Sequence, residues 1–215
     1  MRALSTVAAI IGGALLIPGE ELTSVGYHMA VAGTARNVAW RQPAADAAAR
    51  VHDEGGVAIA AHPAGEQTTG FDDRALDTVD GVEVAHPLIY DLKYGRRDLA
   101  QFYARAKTRR PSMAAIGSTD YHFFAPVGFC RTFVFARERS VAAILEAVRR
   151  GATVACDATG NTYGPADLSA AVADACRAAA GAPPMTASWT DSAAMWLTWC
   201  GLLALVLLGA RETMA

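Results

Sequence analysis

The run Gly55-Gly56-Val57-Ala58-Ile59-Ala60-Ala61-His62-Pro63 decides the fold. Its paired glycines end the helical pattern of Ala44–Glu54, and the short apolar stretch after them reads as a strand that stops at a histidine. Working outward, β-rich runs recur at Ala14–Ile17, Tyr27–Ala32, Gly81–Ala85, Ala114–Ser118, Thr132–Ala136 and Thr153–Ala155. Helical patterns fall between several of them, at Asp72–Thr78, Asp91–Arg109 and Ser140–Arg150. Pro111 follows the second of these, and Gly151 ends the third after Arg149 and Arg150. Strands alternating with helices imply βαβ units and a mainly parallel sheet, so the class is α/β. Beyond Asp157 the pattern thins to an alanine-rich helix, Ala166–Ala180, and a linker, Gly181–Thr190.

At 215 residues the chain suffices for one substantial core. Its 19 basic and 21 acidic residues nearly balance, so bulk charge gives no nucleic-acid-binding patch. Cys130, Cys156, Cys176 and Cys200 are scattered with no C-x-x-C, which argues against a zinc knuckle, a redox motif or a disulfide framework. Cys130 and Cys156 read as small apolar side chains.

In a parallel α/β sheet, functional groups gather where strands end and lead into helices. Glu21 follows the strand ending at Ile17, and His28 starts the next β-run. His62 closes its apolar strand, and Asp120 and His122 close Ala-Ala-Ile-Gly-Ser-Thr-Asp-Tyr-His, again directly after a strand. Each alone has an ordinary reading, as a hydrogen-bonded strand-end histidine or an Asx turn. Together they place three of the five histidines and two carboxylates at strand ends. That is the ligand mix expected for zinc, manganese or iron. His52 sits within a helical pattern and reads as solvated, whereas His86, before Pro87, ends a strand and is a possible sixth member.

These stretches resemble the polymerase and histidinol phosphatase (PHP) family. The resemblance rests on Ile17-Pro-Gly-Glu-Glu-Leu-Thr23 with His28 downstream, Gly55–Pro63, Gly81-Val-Glu-Val84 and Ile116-Gly-Ser-Thr-Asp-Tyr-His122. Val127–Thr132 and Ile144–Val154 resemble the end of such a domain, so the likeness runs from Ala14 to Val154. It implies a metal-dependent phosphoesterase on a distorted (β/α)7 barrel, acting on small-molecule phosphate esters with divalent metal ions. By position, Glu21 matches the bridging carboxylate, His28 and His62 match ligands sharing its metal, and Asp120 and His122 match the terminal D-x-H ligands. Family members open with H-x-H on the first strand; this sequence contains no H-x-H, so an incomplete barrel and impaired two-metal chemistry are expected. Arg131 is a candidate phosphate ligand, weighed against a surface ion pair. Two alternatives stand beside this reading. One is an amidohydrolase-like hydrolase of C–N bonds or lactones, which would want a metal-bridging lysine where Lys93 and Lys107 lie in a helical pattern. The other is a non-enzymatic metal-binding remnant.

The tail is different in kind. Ser192–Ala210 carries no charge and is rich in leucine, and at about 1.5 Å per residue it reaches about 28 Å, the thickness of a bilayer core. Trp189, Trp196 and Trp199 crowd one end as an interfacial belt would. The expectation is a PHP-like domain over 1–157, a helix and linker over 158–190, and a single transmembrane helix over 191–211 in contact with membrane lipid. A buried C-terminal helix is the competing reading. The lone Arg211 beyond the run does not set the side of the membrane. Met1–Ile17 has the apolar character of a signal peptide, but Pro18, Gly19, Glu20 and Glu21 stand where a small-residue cleavage site would be needed. A helix running into a strand is expected there.

Overall fold

The structure is a computed structural model, and it describes residues 10–11, 14–86, 95–120, 128–180, 196–197 and 200–201. The chain divides into two compact units, Met1–Ala182 and Pro183–Ala215. In chain order the first unit holds β1 (Ile10–Ile11), β2 (Ala14–Leu15), β3 (Gly19–Ser24), β4 (Tyr27–Ala32), α1 (Ala44–Asp53) and β5 (Val57–Ala61). A 3-10 turn, Gly65–Thr68, follows, then α2 (Asp73–Thr78), β6 (Gly81–Ala85), α3 (Gly95–Arg109) and β7 (Ala114–Gly117). The unit ends with β8 (Arg131–Val134), α4 (Val141–Arg149), β9 (Thr153–Cys156), β10 (Thr162–Tyr163) and α5 (Ala166–Ala180).

The principal sheet runs β3-β4-β5-β6-β7. Its β5–β6 and β6–β7 pairs are parallel, but β3–β4 and β4–β5 are antiparallel, so the sheet is mixed where a mainly parallel one was expected. The cause is local. Ser24 and Tyr27 pair across Val25-Gly26, and Gly26 stands at a φ of 86°, which lets the chain reverse in two residues. The three strands β10-β9-β8 form a second, antiparallel sheet, and β1–β2 a small hairpin. Among the described residues no strand pairing closes these sheets into a barrel.

The two larger sheets meet at Gly117. Its N–H donates to Thr132 Oγ1, and that hydroxyl donates back to the Gly117 carbonyl, both at 2.9 Å. A side chain at Gly117 would fall 2.6 Å from the Arg131 carbonyl, so the approach needs glycine. Central strands β5, β6 and β7 are almost wholly buried, as an unbroken apolar run between layers should be. Helix α1 packs on β4 and β5 with Ala44, Ala47, Ala48 and Val51, one helical face of small residues, and α3 packs on β6. Tyr27, Phe71 and Phe102 stack edge to face at 5.7 and 5.6 Å in the same core, and the Tyr27 hydroxyl donates to the Gln42 carbonyl.

Cys156 and Cys176 are joined as a disulfide linking β9 to α5, which corrects the reading of Cys156 as a simple apolar filler. The spacing of 20 residues in sequence carries no motif, so only the fold brings the two together. No helix among the described residues is long and apolar enough to cross a membrane. Most of Ser192–Ala210 lies outside the described residues, as does most of the helix expected over the first residues, although Ile10–Ile11 form strand β1 where that helix was expected.

Candidate metal centre

The site is assembled at one end of the principal sheet. Glu21 does not lie in a loop after a strand, as expected, but within β3, opposite Ala30 of β4. His28 sits two residues before Ala30, so the two side chains are diagonal neighbours on one face. His28 in turn pairs with Ala61, the residue before His62. Register sets His28 beside Glu21 and next to His62, whose φ of 28° takes it out of the regular alternation of faces. His86 directly follows β6, and Asp120 follows β7, whose extension is tied to β6 by Ser118 N–H donating to the Ala85 carbonyl.

The contacts run as a chain. His28 Nδ1 lies 3.0 Å and His62 Nε2 3.6 Å from the same oxygen, Glu21 Oε1. The His28 and His62 rings are 4.9 Å apart, and His62 and His86 5.0 Å. His86 Nε2 stands 3.1 Å from Asp120 Oδ2. Two trios emerge, Glu21–His28–His62 and His62–His86–Asp120, each able to present its ligand atoms to one ion. His62 Nδ1 already bonds Gln67 Oε1 at 2.9 Å, which leaves Nε2 as its ligand atom, so only one trio at a time can hold a full three-ligand ion.

Three observations favour a cation. Two ligands of one tetrahedral ion at about 2.0–2.1 Å are separated by about 3.3 Å, and the measured 3.0 and 3.6 Å bracket that distance. The buried nitrogen His86 Nδ1 has no hydrogen-bond partner among the described residues, and orphaned groups of this kind are rare. Finally, His62 and Asp120 are the two non-glycine residues at positive φ among those described, at 28° and 43°. Such conformations cost roughly 1–3 kcal/mol each and persist where surrounding structure enforces them, commonly at functional sites.

The electrostatics agree. Burial alone would lower the His62 pKa, but hydrogen bonds with Glu21 and Gln67 and the nearby Glu83 and Glu21 charges push it up to about 9. Burial, then the neighbouring His62 charge, pulls His86 down to about 4. The site thus attracts one positive charge strongly and resists a second on the adjacent ring. Glu83, 5% exposed on β6, accepts the His62 backbone N–H at 2.7 Å. Burial raises its pKa, against the lowering effect of that bond.

Of the expected ligands, Glu21, His28, His62 and Asp120 are brought together, while His122 lies outside the described residues. His86 proves central, 2% exposed and between His62 and Asp120. Gln67 and Glu83 were not singled out. For Glu83 a signal existed, since a glutamate inside the apolar run Gly-Val-Glu-Val-Ala must find a partner if buried; for Gln67 none did. His52 is apart from the site, and it is not merely solvated, because its Nε2 bonds Asp80 Oδ2 at 2.7 Å. Arg131 begins β8, with one guanidinium N–H donating to the Gly128 carbonyl at 2.7 Å.

Residues 98–153 match the family described as PHP-associated. Among solved structures, the chain is similar to a two-domain protein from Bacteroides vulgatus containing a predicted PHP-like metal-dependent phosphoesterase. Identity is 24% and the TM-score 0.52, over 73% of this chain and 48% of that one, so this chain spans about half of that structure's length. No curated protein matches the chain. The structural likeness shows a shared fold, and the family match is confined to residues 98–153.

Proposed function

We propose that this protein is a metal-dependent phosphoesterase of the PHP type, with Glu21, His28, His62, His86 and Asp120 as the described part of its metal centre and His122 as a further ligand. The observation that carries the reading is the pair of donor trios sharing His62. Imidazole and carboxylate donors suit zinc, manganese or iron. When bound, such an ion supplies a Lewis acid for a phosphoryl oxygen and a source of nucleophile at neutral pH. The chain's own residues do the rest. Glu21, with its side chain 36% exposed, offers a carboxylate that solvent and substrate can both reach. Buried His62 and His86 fix the inner wall and exclude water from one side. Arg131, its backbone packed on Gly117 three residues before Asp120, is a candidate for holding a substrate phosphate oxygen.

We further propose that the leucine-rich run Ser192–Ala210 tethers the protein to a membrane as a single span, supported by its length, its lack of charge and its tryptophans. The enzymatic reading is tested with the purified full chain. Calorimetric titration should show tight binding of zinc or manganese, and hydrolysis of a generic phosphomonoester should depend on the added ion. Glu21→Gln should lose both. A wild-type chain that binds neither ion would end this reading.

A further inference from the structure

We infer that Gln67 is a positioning residue for the metal centre, holding His62 in the tautomer that turns Nε2 toward Glu21; the inference rests on the metal-binding reading above. With Gln67 Oε1 2.9 Å from His62 Nδ1, the ring donates Nδ1–H to the amide oxygen and keeps the Nε2 lone pair for a ligand bond. His62 has its second nitrogen held by a side chain, whereas His28 faces Glu21 through Nδ1 and the second nitrogen of His86, Nδ1, has no hydrogen-bond partner among the described residues. His62 is also the one ring common to both trios, so its orientation governs both.

Gln67 is itself held. It lies on the 3-10 turn Gly65–Thr68, where the Thr68 hydroxyl donates to the Gly65 carbonyl at 2.8 Å and the Thr69 hydroxyl to the Glu66 carbonyl at 2.9 Å. Gly70 N–H then donates to the Gly26 carbonyl at 2.8 Å, in the turn of the β3–β4 hairpin. The fit is close, because a side chain at Gly26 would meet Thr69 Oγ1 at 2.6 Å. The hairpin that carries Glu21 and His28 therefore also seats the segment that orients His62. From the other side, the Glu83 carboxylate takes the His62 backbone N–H, so ring and main chain are fixed by different partners.

An outer partner that fixes a ligating histidine typically contributes about 10–100-fold in metal affinity. Zinc titration by calorimetry on the full chain compares wild type, Gln67→Leu and Gln67→Glu, with circular dichroism confirming that each is folded. Gln67→Leu should bind zinc at least tenfold more weakly, while Gln67→Glu, whose carboxylate accepts the same N–H, should bind as tightly as wild type or more so. Nitrogen-15 NMR of the zinc-loaded wild type should find His62 protonated at Nδ1. Unchanged zinc affinity in Gln67→Leu, an equal loss in both variants, or protonation at Nε2 would each overturn the assignment while leaving the metal site standing. Failure of wild type to bind zinc or manganese would remove the site itself, and the assignment with it.

Discussion

Replacing Asp80 by Asn should destabilise the protein by about 3 kcal/mol and remove part of its acid sensitivity. Asp80 is fully buried just before β6, at the end of the strand away from His86. Its Oδ2 accepts the Ala58 backbone N–H at 2.9 Å and faces His52 Nε2 at 2.7 Å, while Oδ1 lies 3.2 Å from an Arg110 guanidinium nitrogen. Hydrogen bonds to a charged group contribute about 1.5–3 kcal/mol each, and breaking a fully buried pair costs about 3–5 kcal/mol. Here His52 and Arg110 have side chains 35% and 24% exposed and can recover some hydration, which places the loss near the lower bound. Burial would raise the Asp80 pKa, but the His52 and Ala58 hydrogen bonds and the Arg110 charge leave it lowered. A lowered folded-state pKa gives stability that is present above the ordinary carboxylate value of about 4 and is lost as pH falls through the folded value. Urea unfolding between pH 3 and pH 7 measures both effects. At pH 7 the midpoint should fall by about 1–2 M with unchanged slope, for a slope of about 2 kcal/mol per M. Wild type should lose stability more steeply than Asp80→Asn below pH 4. A variant within about 0.5 kcal/mol of wild type, with the same acid profile, would refute the view that this carboxylate locks β5 to β6.

Other perturbations reach the remaining parts of the argument. His86→Ala should weaken zinc or manganese binding at least tenfold in calorimetry, and unchanged affinity would take His86 out of the centre. Gly151, at a φ of 68° with the Ser112 carbonyl 2.4 Å from where a Cβ would stand, should cost about 2–3 kcal/mol as Ala in thermal unfolding. Gly65→Ala, at a φ of 56° with open space around it, should cost only about 1 kcal/mol; equal costs would show that the contact is irrelevant. Deleting residues 191–215 should move the protein from the membrane to the soluble fraction, and Leu203→Arg should cost about 2.5–3.5 kcal/mol on insertion. Unchanged partitioning of the deletion would exclude the tether.

Much of the fold was legible because its decisive strands are short and bounded. β4, β5 and β6 occupy the spans read from their apolar runs, since glycine, histidine and proline mark their ends. The helices are displaced from their patterns by a residue or so at most described ends, where caps such as Asp72 accepting Ala75 N–H take over. What misled was β3. Gly-Glu-Glu-Leu-Thr-Ser carries two adjacent charges, and only Leu22 of the strand is fully buried, so its hydrophobic signal is nearly absent. An edge strand paired on one side needs no more than that. Its evidence lay instead in Val25-Gly26, a two-residue reversal before an alternating strand.

The candidate site shows the same division at finer scale. Donor identity was readable, because an imidazole or carboxylate directly after an apolar strand stands out from its neighbours. Donor geometry was not, because it depends on register between strands far apart in sequence. His86 illustrates the point. Judged by its own surroundings it is one more histidine before a proline, but the parallel pairing of β5 with β6 sets it beside His62, and that of β6 with β7 sets it beside Asp120. Gln67 lies further still from anything a spacing rule could find, since its role exists only because a turn five residues past His62 folds back onto the ring. Strand order therefore turns separate donors into one centre, and the Asp80 cluster at the other end of β6 is where that order is fixed by charge. Loss of that cluster should loosen β5 against β6, so Asp80→Asn should also weaken zinc binding although no Asp80 atom faces the ion. Calorimetric titration of the folded variant at pH 7 measures this, and wild-type affinity there would show that the two ends of the sheet are independent.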